Sequence, residues 1–573
     1  MTYRAPLNEF EFLFRHVVGF EQVGETERFS ETGSADLVQA ILSEAGKLSE
    51  EVLAPLQRSG DLQGAVLENG VVRTSPGFAE GYRAIAEGGW TGMGASPENG
   101  GMGLPMTVAT AVNEMMGSAC LSLQLNPLMT QGQIEALEHH ASDALKAIYL
   151  PKMISGEWSG TMNLTEPHAG SDVGALSSKA VPNGDGSFAI SGQKVFISWG
   201  DNDFTTNVCH LVLARLPDGA AGTKGISLFM VPKYVPDENG EPGVANSLRV
   251  VSLEHKMGLH GSPTAVMEYD SAKGWLVGEP HKGMSAMFTM MNNARLGVGV
   301  QGLSVAEGAY QHALAFANER KQGRSPIDGG TGTIIDHADV RRMLATMKAD
   351  VFASRAIALS CAVAIDMANA SGDAGWKARA AMLTPINKAF GTDTGIRVSE
   401  LGVQVHGGMG FIEETGAAQY SRDVRVTAIY EGTNGIQAMD LVGRKMMDGG
   451  EAASRLIDEM ESAVEAARSE YADLAEPVWQ SMETLRETTE WLVGQTDLND
   501  RFAGAVPYQT GFARVLGGYF HLLAAQAENG EGPRTKLARF YIKRMLPEHA
   551  GLLEHAKQGA ADLYALSPED LAS

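Results

Sequence analysis

The sequence has little that would let it grip nucleic acid, cross a membrane or staple itself with sulfur. Its 573 residues hold 45 Lys+Arg against 69 Asp+Glu, a net charge of −24, which argues against a broad basic face for nucleic acid. A phosphorylated ligand held by a few local Arg and Lys residues stays open. Cysteine is scarce: Cys120, Cys209 and Cys361 lie far apart without CxxC spacing. That argues against a disulfide framework or a zinc site, so no metal is expected, and it points to a reducing compartment. The N-terminus, MTYRAPLNEFEF, lacks the basic-then-apolar order of a secretory leader. No run of about 18 apolar residues predicts a membrane span. These absences together predict a cytoplasmic protein. Internal repeats and low-complexity tracts are missing too. The glycine run Asp328–Thr333 has no following Lys, as a phosphate loop needs, and reads as a connector.

What is present is long and patterned. The chain exceeds one ordinary core, so several domains are expected. An apolar arm carrying Phe10, Phe12, Leu13, Phe14, Val17 and Val18 covers residues 1–35. Residues 36–159 read as a helical domain, with Leu37, Ile41, Leu42, Ala45 and Leu48 at helical spacing. It is broken by the glycine-rich turn Ser96–Gly103, and helical period resumes over 107–115 and 133–150. Residues 160–280 turn to a β pattern: two strands and a turn over 180–190, then apolar runs at 208–215, 225–231 and 266–269. Residues 281–448 read as a helical bundle, with one stripe at Ala306, Tyr310, Ala313, Leu314 and Ala317 and another at Leu344, Met347, Val351 and Ala358. Residues 449–573 read as an appended helical domain with helices over 454–474, 477–493 and 511–528 and no catalytic cluster. Pro477 suits the first turn of its helix. The fold class is therefore α+β multidomain.

Within the bundle, Ser421–Lys445 concentrates the chemistry. Glu431 stands in Tyr-Glu-Gly-Thr-Asn-Gly, after a β-like run Val424–Tyr430 and before a helix with Ile436, Met439 and Val442 in phase. Thr433 or Asn434 can cap that helix. Gly432 and Gly435 let a ligand approach the backbone. On these residues alone Glu431 is either an aimed catalytic carboxylate or a solvated loop residue. Four further segments each admit two readings. Met162–Asp172 and Lys194–Gly200 offer hydroxyls, amides and aromatic faces for a flavin edge, or else simply pack strand ends. Gln404–Phe411, with Gly407 and Gly408, fits a pyrophosphate or a helix-ending turn, and Glu319–Arg324 fits a phosphate or a solvated charge run.

Taken in order, these segments resemble the acyl-CoA dehydrogenase family. TEPxxGSD, QxxGGxG and YEGTxxIQ occur in sequence between about Asp36 and Lys445. The resemblance implies an α-helical domain, a β domain and a helical bundle. It implies FAD as cofactor, with Leu164, Thr165, Phe196, Ser198 and Thr433 against the flavin. Arg320, Gln404, Gly407 and Gly408 would then hold pyrophosphate and adenosine, partly across a subunit interface. Ser171 would contact CoA, Gly432 the thioester and Arg295 the substrate end. Glu431 would be the base; relatives that place it before the matched arginine have a carboxylate where this chain has Ala294.

The chemistry implied is α-proton removal by Glu431 with β-hydride transfer to flavin, giving a trans-2-enoyl-CoA. An apolar pocket should raise the carboxyl pKa toward the working pH. Electron-transferring flavoprotein is the implied acceptor, and the protein is expected to be a homo-oligomer, as a dimer. Two departures touch nucleotide contacts: Gly323 follows Gln322 where an aromatic is usual, and Asn292 replaces an acidic residue. The arm and the C-terminal extension resemble a longer bacterial form, which implies 3-methylmercaptopropionyl-CoA of dimethylsulfoniopropionate breakdown as substrate. A fatty acyl-CoA is the alternative. Met284–Phe288 could line the acyl pocket or pack in the core. An acyl-CoA oxidase is a further reading. So is a flavin-bearing DNA-associated protein, which would use Arg534, Lys536, Arg539, Lys543 and Arg544.

Overall fold

The structure, a computed structural model, describes residues 3–573, without the side chain of Asn292. The departure noted at Asn292 thus lies outside the described residues. The arm forms helix α1 (Leu7–His16), whose Phe10, Leu13 and Phe14 are buried. The arm is fastened to the far end of the chain. The Arg534 guanidinium lies 3.5 Å over the Phe12 ring and pairs with Glu9 at 3.0 Å.

Helix α2 (Met106–His140) is kinked at Cys120, whose backbone is not helical, and the stretch expected to be helical over 133–150 is divided between its end and the helix Asp143–Ile154. Helix α2 is buried on nearly every side, so it shows little periodicity to read. Around it pack Ala35–Lys47 and shorter helices. Leu37, placed on the apolar stripe by spacing, is exposed, whereas Val38, Leu42 and Ala45 are buried. A small hairpin, Val66–Glu68 with Val71–Arg73, interrupts this helical region and was not expected from the sequence.

The β domain is a seven-stranded sheet that closes on itself: β1 (Trp158–Asn163), β2 (Lys179–Pro182), β3 (Phe188–Ser198), β4 (Asn207–Arg215), β5 (Ile226–Pro232), β6 (Leu248–Leu253) and β7 (Thr264–Val277). The order runs β6-β7-β3-β2-β4-β1, and β5 bridges β7 and β4. β4 is buried on both faces from Asn207 to Ala214, which is why it reads as a continuous apolar run. β1 escaped the sequence reading because Trp-Ser-Gly-Thr-Met-Asn neither alternates nor runs apolar. It is recruited by parallel pairing to β4.

Three long helices follow: α3 (Gly283–Glu319), α4 (Ala338–Ser371) and α5 (Ala374–His406). α3 and α5 run parallel in close contact, since Gly299 meets Asn387 and Gly302 meets Gly391. A Cβ on Gly302 would stand 2.3 Å from the Gly391 oxygen, so only glycine allows this approach. α4 is long and apolar enough to cross a membrane by length and composition (mean hydropathy 1.6), which the sequence reading passed over. However, 83% of its most apolar stretch is buried inside the protein, as befits a core helix.

The run Val424–Tyr430 is not a strand. Helix Ala417–Val424 continues into a tight helical turn over Arg425–Ala428. Its alternation suits a strand, but the bundle offers no sheet edge to pair with, and tertiary context overrides the propensity. Helix α6 (Asn434–Asp440) follows the turn. In the C-terminal part the helix carrying Pro477 begins at Ala472, so the proline sits inside it, past the first turn. Helix α7 (Ala505–Glu528) is bonded to the bundle. Its buried Arg514 pairs with Asp350 of α4 at 2.7 Å, and Gln509 donates to the Pro385 carbonyl at 2.9 Å.

Candidate active site

Between the helical turn ending at Ala428 and α6, the backbone turns left-handed twice. Glu431 has φ +55° and Gly432 φ +83°. For glycine this is free; for glutamate it costs about 1 kcal/mol and must be held in place. Both carbonyls are held. Buried Gln437 of α6 donates Nε2 to the Glu431 oxygen at 3.0 Å. Lys388 of α5, wholly buried, donates Nζ to the Gly432 oxygen and to Asn434 Oδ1, each at 2.9 Å. Asn434 is fixed in turn by Nδ2 on Thr392 Oγ1 at 3.0 Å and Asp393 Oδ1 at 2.8 Å. Thr433 caps α6, its hydroxyl accepting from the Ile436 N–H at 3.3 Å. Tyr430 donates to Gln301 of α3. Among the described residues the N–H groups of Glu431 and Gly432 have no acceptor. The turn thus offers two free donors beside a carboxylate.

That carboxylate is half-buried, and its removal from water raises its pKa to about 7 against the pull of Arg295 and Lys388. Arg295 is buried on α3, 3.7 Å from Asp440 Oδ2, and its Nε has no partner. Lys388 is itself pushed down to about 8 by burial, with Asp393 and Glu431 opposing.

The β domain holds a second group. Leu164 is buried and Thr165 half-buried, and the Val195 N–H donates to the Thr165 oxygen at 2.9 Å. Lys194, fully buried, donates to the Leu164 oxygen at 3.0 Å and to Glu166 at 2.9 Å. Glu166 also accepts from the N–H and hydroxyl of both Ser177 and Ser178. Burial would raise its pKa, but the lysine and these four bonds pull it down to about 2. Phe196, at φ +61°, holds its ring 63% exposed, and Ser198 stands half-buried where β3 pairs with β7. Ser171 is exposed on the loop after β1. The β domain docks on the bundle through the Leu259 N–H on Asp423 at 2.6 Å.

The remaining expected residues lie elsewhere. Arg320 ends α3, while Gln404 and Gly407 end α5, and the two helix ends meet where Phe316 stacks on His406 at 4.3 Å. Arg320, Gln404, Gly407 and Gly408 are exposed, and a Cβ on Gly407 or Gly408 would meet open space. From Arg295 to Arg320 is about 37 Å along the helix. The structure therefore brings Glu431, Gly432, Thr433 and Arg295 together, and leaves the Arg320 group at the other end of the bundle.

Between α2 and α3 lies a cavity of ≈ 610 Å³ whose wall includes Met106, Leu128, Met129, Met290, Ala294 and Gly297. Ala294 lines it, whereas Arg295 and the Glu431 turn do not. Met284–Phe288 take no part in it; Ala286 and Met287 are core.

Sequence reasoning missed Lys388, Gln437 and the tie through Thr392 and Asp393. One signal for Lys388 was available: a lone lysine inside the apolar stretch Met382–Phe390, where burial without a purpose is unfavourable.

Family models describe the same chain. The acyl-CoA dehydrogenase N-terminal domain matches residues 38–157, the middle domain 161–272 and the C-terminal domain 281–447, with an acetyl-CoA dehydrogenase C-terminal-like domain at 456–567. The 3-methylmercaptopropionyl-CoA dehydrogenase of Ruegeria pomeroyi is 45% identical over 547 residues, covering 93% of each chain. The solved structure of Caenorhabditis elegans ACDH-11 in complex with C11-CoA superposes with a TM-score of 0.77 at 20% identity, over 94% of this chain and 91% of that one. A structure of the electron transferring flavoprotein of Acidaminococcus fermentans gives 0.61 at 25% identity, over 72% and 98%.

Proposed function

Because the chain belongs to the acyl-CoA dehydrogenase family, we propose that Glu431 is the base that removes the α-proton of an acyl-CoA thioester. The enzyme is an oxidoreductase that desaturates the acyl chain. What carries the reading of its base is one observation: a half-buried carboxylate with a pKa near 7 on a turn with two unused N–H donors. Those donors suit the thioester oxygen, which gains negative charge as the α-proton leaves. Arg295 and Lys388 stabilise the ionised form of Glu431, and the surrounding protein keeps it basic enough to accept a proton near neutrality.

FAD fits the residues present. An exposed Phe196 ring in a left-handed backbone and the open space beside Gly407 and Gly408 have no packing role of their own. Leu164, Thr165, Phe196, Ser198 and Thr433 would hold the flavin ring, and Arg320, Gln404, Gly407 and Gly408 the pyrophosphate and adenosine. Ser171 would meet CoA and Gly432 the thioester. When bound, the flavin accepts the β-hydrogen as hydride. Arg320 stands about 37 Å along α3 from Arg295, which lies beside Glu431, so the Arg320 group would serve the site of a second copy. Exposed Met409, Phe411 and Ile412 beside it support a homodimer.

The substrate proposed is 3-methylmercaptopropionyl-CoA, on the strength of the Ruegeria pomeroyi relative, with electron transferring flavoprotein as electron acceptor. A thioether chain differs little from an alkyl chain, so short fatty acyl-CoAs are expected to compete. Anaerobic titration with a panel of acyl-CoAs is the test. Fastest flavin bleaching by the thioether substrate supports the assignment, and a preference for long chains rejects it. Oxygen uptake as fast as reduction of the flavoprotein acceptor would make the enzyme an oxidase instead. Three of the five C-terminal basic residues that the DNA-associated reading would use are engaged by carboxylates of this chain. Arg534 pairs with Glu9, Arg539 with Glu531 and Asp473, and Lys543 with Asp473.

A further inference from the structure

A charge buried among neutral partners is costly, and Lys388 is such a charge. Its Nζ is wholly inside the bundle, bonded to a carbonyl and an amide oxygen. Among the described residues no carboxylate lies within ion-pair distance of it. Lys194, equally buried, has Glu166 at 2.9 Å. Packing does not account for the difference, because a methionine would fill the same volume without losing hydration.

Its two acceptors belong to the turn that carries the base. Gly432 follows Glu431 directly, and Asn434 is the first residue of α6. We infer that Lys388 is a positioning residue. It locks the left-handed Glu431–Gly432 turn from behind and supplies part of the positive field at the Glu431 carboxylate. This rests on the reading of Glu431 as base.

The groups that set this field come from three elements. Arg295 of α3 faces Glu431, and its own charge is balanced by Asp440 of α6, which Arg444 also holds. Lys388 faces Glu431 from α5, with Asp393 one turn farther along the same helix and bonded through Asn434. Tyr430 is the titratable neighbour on the turn itself. Of the two cations acting on Glu431, Arg295 is engaged by a carboxylate and Lys388 is not. Lys388 also holds the backbone, so loss of its charge and loss of its bonds can be separated by substitution.

The test compares flavin-loaded native enzyme with Lys388→Met, Lys388→Arg, Asn434→Ala and Glu431→Gln. Flavin reduction by acyl-CoA is followed in anaerobic stopped flow across pH. Glu431 protonation is read independently from its infrared carboxyl band after a pH step, with Glu431→Gln as blank. Lys388→Met is expected to slow limiting reduction about 10–100-fold and to move both the acid limb and the infrared midpoint up by about 0.5–1 pH unit. Acyl-CoA affinity should change no more than about threefold. Lys388→Arg keeps the cation, so both midpoints stay while the rate falls. Asn434→Ala loosens the turn and lowers the rate severalfold, again with the midpoints unmoved.

A purely structural lysine would slow the reaction at every pH and leave the infrared midpoint in place, and that result for Lys388→Met overturns the inference. If Lys388→Met loses flavin, the other two variants decide: native rates in both overturn it. Undiminished reduction in Glu431→Gln would instead remove the base, and with it this role. The two failures are thus distinguishable.

Discussion

The β domain and the bundle each place a glutamate near a buried lysine, and the two pairs behave in opposite ways. Glu166 is saturated, with one lysine, two hydroxyls and two amides, so its pKa falls to about 2 and it stays ionised near neutral pH. Glu431 has no side-chain donor on its carboxylate among the described residues, and burial lifts it to about 7. The lysines divide accordingly: Lys194 spends its bonds on the carboxylate and on Leu164, Lys388 on the backbone behind the carboxylate. A carboxylate whose bonds are all made is a structural rivet. One whose support comes only through its backbone keeps its oxygens available for a proton.

The largest test of this contrast is to remove each acid. Glu431→Gln should cut flavin reduction by about 10³-fold or more, checked by single-turnover stopped flow, with no loss of melting temperature. Glu166→Gln should do the reverse, costing about 3 kcal/mol of stability in thermal unfolding by stranding Lys194.

A smaller test sets the two against pH. The depressed Glu166 adds stability above about pH 4.5, which is lost as pH falls toward 2. The raised Glu431 acts in the other sense. The folded state holds its proton more tightly than the unfolded chain, so stability declines as pH rises from about 4.5 through 7. Discounted for its partial exposure, the Glu431 contribution is on the order of 1–2 kcal/mol. Native enzyme and Glu431→Gln should therefore melt alike at pH 4.5, with the variant the more stable at pH 8. Least of all, Gly432→Ala should cost about 1 kcal/mol, since φ is +83° and a Cβ would stand 2.8 Å from Gln437 Nε2. It should slow reduction more than it lowers the melting temperature.

Only the Glu431 side of this contrast was open to reading from the residues. Glu431, its flanking glycines and the Thr433 cap are local features, and local chemistry survives into the fold. The division into helical, β and helical regions was legible because long periodic stretches such as 306–317 state their period. What escaped was decided by partners distant in the chain. Val424–Tyr430 alternates like a strand but finds only helices around it. β1 is a strand because β4 offers it an edge. The helix holding Pro477 starts five residues before the proline because a neighbouring helix buries Leu474 and Ala475. Lys388 is the sharpest case. Its meaning lies 44 residues away, at a carbonyl no pattern marks.

The bond between Arg534 and Glu9 joins residues 525 positions apart. During synthesis at 5–20 residues per second, the greasy side of the leading arm must wait roughly half a minute to two minutes for the strip that covers it. Until the ribosome has delivered the final helices, Phe12 has nothing to lie under. That strip of the arm therefore stays uncovered until nearly the whole chain has been made.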